Sequence, residues 1–377
     1  MDFVAEAALR IIPFLAVITV VVFFHELGHF LVARWNGVRV DTFSIGFGGE
    51  VFGWHDKHGT RWRISWIPLG GYVKFFGDAG ATSAEGEGLD EMTAEERAVS
   101  FHHKRLSQRA AVVVAGPVAN FLLAIVIFAV MFATFGRPIS EPLVVDVMPQ
   151  GAAQAAGIEA GDVVTALDGK RIKRFQELQA YVQPRPGQPI MVEVRRGERL
   201  LQLDITPTPT EREVFGSTQT IGVIGIRGPA GQLERQGPLA SIWLGVASTY
   251  GVVETTLVYL GDVVTGNASA DQLSGPIGIA VVTSEVARVS VVGLINLAAV
   301  ISVALGLFNL FPIPLLDGGH LLFYGAEALR GKPLSDRAQE FGMRLGMLVV
   351  IAIFVFATFN DLKYRLDVFG FVSGLFG

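Results

Sequence analysis

His25, Glu26 and His29 stand in the spacing H-E-x-x-H, inside an apolar run from about Ile11 to Val32. On a helix the two histidines are one turn apart and share a face. Two neutral imidazoles so placed can bind one zinc ion, and the glutamate beside the first can act as general base on the metal's water. The setting is unusual for that chemistry. An ionisable residue at mid-membrane costs ~3 kcal/mol on insertion scales. Three in one turn of a membrane-length segment therefore imply a function that outweighs the cost. The competing reading is a chance match whose histidines hydrogen-bond to neighbouring helices.

A catalytic zinc takes three protein ligands and one water. The chain has no cysteine, so the third ligand must be an oxygen or an imidazole nitrogen from elsewhere at the same depth. Asp317 is the best-placed carboxylate. It directly follows a stretch carrying Pro312 and Pro314, which break helix regularity and can turn a side chain inward. His320, one turn further on, is its rival.

These residues need membrane elements to bring them together. The 377 residues are 51% hydrophobic and 17% charged, with mean hydropathy +0.47. That is too apolar for one soluble domain and too charged for a chain wholly in lipid, so a membrane protein with a water-soluble insert is expected. The net charge of -5 gives no support to nucleic-acid binding. Residues 1–33 read as an uncleaved first transmembrane helix, with only Arg10 ahead of the apolar core and no small-residue cleavage site after it. Residues 111–135 read as the second, 290–316 as the third and 341–359 as the fourth, with the tail 360–377 returning outside. The Lys/Arg-rich stretch Arg34–Arg109 and the group Arg330, Lys332, Arg337 and Arg344 place those connections in the cytoplasm. The run Ile242–Val264 is long enough to span. However, His29 and Asp317 both lie near C-terminal helix ends, which reach one depth only if their helices run parallel. Parallel helices have an odd number of crossings between them, and the second span supplies one. The run is therefore expected to lie on the outer surface as an amphipathic helix.

Between the first two spans, Asp41–Phe47, Glu50–Trp54, Thr60–Ile67 and Gly71–Phe76 are short strand candidates. Trp62, Ile64 and Trp66 alternate onto one face. They fit either a sheet against the bilayer or a small cytoplasmic sheet with an ordinary core. Residues 78–92 read as a mobile loop, and Thr93 with Glu96 as a capping box. Residues 94–110 read as one charged helix, whose His102 and His103 belong to a headgroup-facing basic segment or to a second metal pair. In the second span, Asn120 is a lone amide closing Gly116-Pro117-Val118-Ala119-Asn120. It reads as an interhelical hydrogen bond or as a residue shaping the site where substrate binds.

Residues 137–228 read as an inserted α+β domain. Its strand candidates are Leu143–Met148, Asp162–Leu167, Ile190–Arg195 and Leu200–Ile205, with a helix at Phe175–Val182. The pattern resembles a PDZ domain of the circularly permuted bacterial kind. Such a domain holds a chain end in a groove, here expected between Leu143–Val147 and Phe175–Val182. The alternative is a domain that only spaces or blocks access.

Phe24-His25-Glu26-Leu27-Gly28-His29, taken with Asn309-x-x-Pro312-x-Pro314-x-Leu316-Asp317-Gly318-Gly319, resembles the site-2 protease family of intramembrane zinc metalloproteases. Pro68-Leu69-Gly70-Gly71-Tyr72-Val73-Lys74 and Gly116-Pro117-Val118-Ala119-Asn120-Phe121 match its bacterial branch. The resemblance spans nearly the whole chain. It implies an α-helical polytopic membrane protein with four transmembrane helices, a membrane-associated β-region and one inserted PDZ-like domain. The expected division is 1–136, 137–228 for the PDZ-like domain, 229–289 for amphipathic surface helices, and 290–377. It further implies zinc on His25, His29 and Asp317, with Glu26 as base and Asn309 holding the substrate backbone. The stretch 41–76 would include a re-entrant β-loop that receives substrate. Expected substrates are single-pass membrane proteins, such as an anti-sigma factor or signal-peptide remnants, cut within the lipid bilayer of a bacterial inner membrane. The site would face the cytoplasm and the PDZ-like domain the periplasm. Sigma-regulating members carry two tandem PDZ domains, whereas this chain has room for one. Two other classes remain to be distinguished. A divalent-metal transporter would not need Glu26 as a base, and an inactive PDZ scaffold would bind peptide without zinc.

Overall fold

The computed structural model describes residues 2–78, 92–214, 217–229, 232–266, 270 and 273–364. The expected loop 78–92 and tail 360–377 lie largely outside these residues. The chain forms two compact units: Met1–Val130 with Ser241–Gly377, and Met131–Ala240.

The first unit begins with helix α1, Asp2–Trp35. Strands β1, Val40–His55, and β2, Arg61–Phe75, follow. The four expected strands are present, but as halves of these two long, bent ones. Val40–Ile45 pairs with Gly71–Phe75 and also faces Arg61–Ile64, while Glu50–His55 pairs with Arg61–Ser65. The segments therefore lie in the order 50–55, 61–65, 40–45, 71–75. Gly46 and Gly48, both at positive φ, bend the strand without ending it, a conformation glycine adopts at no steric cost. Phe43 anchors the sheet to α1. It is fully buried, stacks on Trp62 with ring centroids 4.3 Å apart, and meets Phe23 and Phe30 of α1 edge-on. Burying such a ring is worth about 1.5–3 kcal/mol.

The charged helix expected over 94–110 is broken. Helix α2, Ala94–Val99, carries the expected capping box of Thr93 and Glu96 and stops at Ser100, whose backbone is extended. Phe101 is buried there and stacks on Phe75. A continuous helix would withdraw it from that contact. Helix α3, Leu106–Thr134, then begins.

The second unit is the PDZ-like insert. Its elements are β3 Arg137–Ile139, β4 Asp146–Val147, α4 Ala152–Ala155, β5 Val163–Leu167, β6 Lys170–Arg171, α5 Phe175–Val182, β7 Ile190–Arg196, β8 Arg199–Ile205, β9 Thr208–Val214, β10 Ser217–Val223, β11 Ile226–Arg227 and β12 Gln232–Glu234. A sheet in the order β6-β5-β7-β8 and helix α5 enclose a core that includes Val164, Leu178, Ile190 and Val194. The expected groove must be moved. Segment 143–147 has neighbours on both sides: Val144 N–H donates to Asp162, and β4 pairs with β11. The strand that comes beside α5 is instead Gly222–Gly228. Gly222 N–H donates to Gln183 at the end of α5, 2.8 Å away, and Gly228 abuts the Phe175 ring.

The chain re-enters the first unit through helix α6, Pro238–Thr265, and continues as α7 Pro276–Val289, α8 Val291–Asn309, α9 Asp317–Arg330 and α10 Asp336–Tyr364. Among the described residues, four helices are long and apolar enough to cross a membrane: Ile11–Trp35, Leu106–Thr134, Val291–Asn309 and Arg337–Lys363. α6 is not one of them. Gly245 of α6 rests on the Ile125 carbonyl of α3. Asp361 near the end of α10 is buried and accepts from the backbone N–H groups of Gly275 and Gly278, capping α7 from outside its own chain segment.

Candidate metal centre

α1 presents His25 and His29 on one face, 7% and 8% exposed. Asp317 reaches them from the first residue of α9. Between α8 and α9 the proline-bearing segment folds sharply, with Leu315 at φ 105°. Gly318 and Gly319 let the start of α9 press onto the carbonyls of Leu310, Phe311 and Ile313 with no side chain between. The result is a triangle of ligand atoms. His25 Nε2 and His29 Nε2 are 3.2 Å apart, and Asp317 Oδ2 lies 3.2 Å from the first and 3.6 Å from the second. Ligands at about 2.0–2.1 Å from a tetrahedral zinc are about 3.3–3.4 Å from one another. The triangle thus has the dimensions of one face of such a site. Asp317 Oδ2 is buried without a hydrogen-bond partner among the described residues, so these atoms fit a cation better than they fit each other. Among the described residues, His25, His29 and Asp317 are the group able to hold a metal.

Glu26 lies beside this triangle and lines the same cavity as Val73, on the outer segment of the sheet. Gly71 keeps that segment close, since a Cβ there would sit 3.3 Å from Glu26 Cγ. A cavity of about 250 Å³ opens onto His25, Glu26, His29 and Asp317, and is also lined by Tyr72, Val73, Asn309, His320 and Tyr324. The Asp317 side chain is 17% exposed, enough for water to reach it. Asn309, the last residue of α8, faces this cavity. Asn120 does not line it: the amide is fully buried behind the site, 3.2 Å from His25 Nδ1. His320 lines the cavity outside the ligand triangle. Burial pushes its pKa below the ordinary value, so the ring is neutral at pH 7.

His102 and His103 do not converge. His102 Nε2 is 2.9 Å from Asp78, whose carboxyl is raised by burial, while His103 Nδ1 is 3.2 Å from the Ser100 hydroxyl. Two contributors carry no signal in the sequence. One is the Val112 carbonyl of α3, 2.8 Å from His29 Nδ1. The other is Arg109 of α3, which pairs with Glu327 and lies over the Tyr324 ring of α9.

Residues 13–353 match the model of peptidase family M50. The chain belongs to that family. A relative from Agrobacterium fabrum is 47% identical over 360 residues, covering 94% of this chain and 95% of its own. Metalloprotease MmpA of Caulobacter vibrioides is 41% identical over 98% of each chain. Zinc metalloprotease RasP of Geobacillus kaustophilus is 31% identical over 95% of this chain and 99% of its own. Among solved structures, the chain is similar to the PDZ domain of an SdrC-like protein from Listeria innocua, at 23% identity and TM-score 0.21 over 25% of this chain and 99% of that one.

Proposed function

We propose that this M50 peptidase is an intramembrane zinc endopeptidase that cuts membrane-spanning segments of single-pass proteins at the bilayer of a bacterial inner membrane. The triangle of His25, His29 and Asp317, of zinc-site dimensions and buried among apolar helices, carries this reading. Zinc held there supplies Lewis acidity to the scissile carbonyl and to water. Glu26 takes the proton from the attacking water and delivers it to the leaving nitrogen. The edge of the sheet at Gly71–Phe75 adds the substrate as a further strand. A transmembrane helix has its carbonyls bonded within itself, and that edge offsets the bonds lost when it unwinds. Asn309, which lines the same cavity, holds the extended backbone. Basic connections support a site that faces the cytoplasm and a PDZ-like domain in the periplasm. There the strand Gly222–Gly228 and α5 offer a groove for a substrate chain end.

The test is cleavage of a model transmembrane peptide by purified full-length protein, wild type against Glu26→Gln, with zinc measured on both. The expected result is equal zinc and loss of cleavage by at least about 10²-fold, the usual worth of a general base. Full turnover by the glutamine variant would favour a metal-transit role and sink the proposal.

A further inference from the structure

α3 carries a stripe of residues one turn apart, Val112, Gly116 and Asn120, that backs the two histidines. At one end the Val112 carbonyl is 2.8 Å from His29 Nδ1. A carbonyl only accepts, so this nitrogen bears the proton and Nε2 keeps its lone pair toward the ligand triangle. At the other end Asn120 Nδ2 is 3.2 Å from His25 Nδ1. An amide nitrogen only donates. With that atom facing the ring, His25 Nδ1 would have to accept and its proton would have to sit on Nε2, the atom that faces His29 Nε2 and Asp317 Oδ2, each 3.2 Å away. Such a tautomer cannot ligate through Nε2. The same orientation leaves Asn120 Oδ1 buried with no hydrogen-bond partner among the described residues. A half-turn of the amide exchanges its oxygen and nitrogen with almost no change of shape.

We infer that in the metal-loaded protein Asn120 turns Oδ1 to His25 Nδ1–H, making it the positioning residue that selects the metal-binding tautomer of His25 as the Val112 carbonyl does for His29. The inference rests on the zinc reading above and assigns Asn120 neither to the ligand set nor to the substrate. Its backbone is held independently of its side chain, since the Asn120 carbonyl accepts from Ser302 Oγ of α8 at 2.8 Å. Partners of this kind hold the ring plane and raise the basicity of the ligating nitrogen.

The experiment uses full-length protein in nanodiscs. Apparent zinc Kd is read by competition with a chromophoric chelator, and the visible spectrum is read on the cobalt(II)-loaded form. Asn120→Leu removes the acceptor, whereas Asn120→Asp keeps an acceptor and removes the donor. The leucine variant is expected to bind zinc about 10–100-fold more weakly and to shift the cobalt bands. The aspartate variant is expected to stay close to wild type in both. If the leucine variant does not fold, Asn120→Ala removes the same acceptor without added bulk and carries the test. Wild-type affinity and spectrum in the variant lacking the acceptor overturn the inference, as does an aspartate variant as weak as leucine. A wild-type protein that takes up no zinc, or a His25→Ala variant that takes it up undiminished, sinks the metalloprotease reading itself and the inference with it.

Discussion

At the scale of single residues, this site has room for two imidazoles and one carboxylate only because nothing stands at position 116. A Cβ on Gly116 would overlap His29 Nε2 and Cε1 and lie 2.9 Å from His25 Cε1. The glycine sits four residues from both Val112 and Asn120, in the middle of the stripe that holds the rings. Gly28 of α1 has the matching role, since a methyl there would strike the Ala115 carbonyl of α3. Gly116→Ala is expected to leave helix content unchanged, because alanine is a better helix former. Its zinc affinity is expected to fall by about 10–100-fold, as when the shell around a metal ligand is disturbed. Circular dichroism and chelator competition on the same preparation check both halves, and an alanine variant with wild-type zinc affinity would show that the rings have slack to move.

At the scale of elements, the sequence showed what lies within one helix turn and little of what one element lends another. His25, Glu26 and His29 were legible because a single period aligns them. Asp317 was legible because it directly follows a stretch with a pair of prolines that could turn a carboxylate inward. The role of α3 was hidden: a main-chain carbonyl at Val112 leaves no trace in residue type, and a buried amide looks the same whether it bonds a helix or a ligand. The bent strands were read as four because glycines at positive φ look like turns when pairing partners are unknown. The PDZ groove was assigned to the wrong strand because β11 and β4 pair across some eighty residues, beyond any local pattern. In that unit one contact has a pH signature. Asp162 is fully buried and accepts from Arg196 Nε at 2.7 Å, and Arg196 holds its carboxyl below the ordinary aspartate value. A depressed folded-state pKa contributes stability that is fully present above the unfolded value of about 3.9 and is lost as pH falls through the folded value. Arg196→Met is therefore expected to weaken the unit at pH 7 and to differ less and less from wild type below about pH 4. Hydrogen exchange of amides in β5 and β7, followed in the full-length protein across pH, reads this out. A difference that stays constant through the acid range would mean the arginine acts by packing alone.

At the scale of the whole molecule, the chemistry and the insert belong to different compact units. His25, Glu26, His29 and Asp317, and the α3 residues behind them, all lie within Met1–Val130 and Ser241–Gly377, while the PDZ-like unit is Met131–Ala240. The insert leaves and rejoins through a short ladder in which Ile139 is paired with Gln232. Directly paired residues of an antiparallel ladder have Cα atoms about 4.5–5.5 Å apart, a gap that a two-residue Asn-Gly turn spans. Replacing residues 140–231 by such a turn thus removes the PDZ core while keeping the strands that close the neck. The shortened protein is expected to keep full zinc stoichiometry and to cut a short transmembrane peptide at the wild-type rate, because His25, Glu26, His29 and Asp317 all lie outside the replaced residues. If the insert screens substrates, the variant should also cut the same peptide fused to a folded outer domain faster than wild type does, since only the fusion meets the screen. Zinc content, together with the ratio of the two cleavage rates, separates the possible roles. Lost zinc would mean that the metal unit needs the insert to fold. An unchanged ratio with zinc retained would leave the groove beside α5 without a part in choosing substrates.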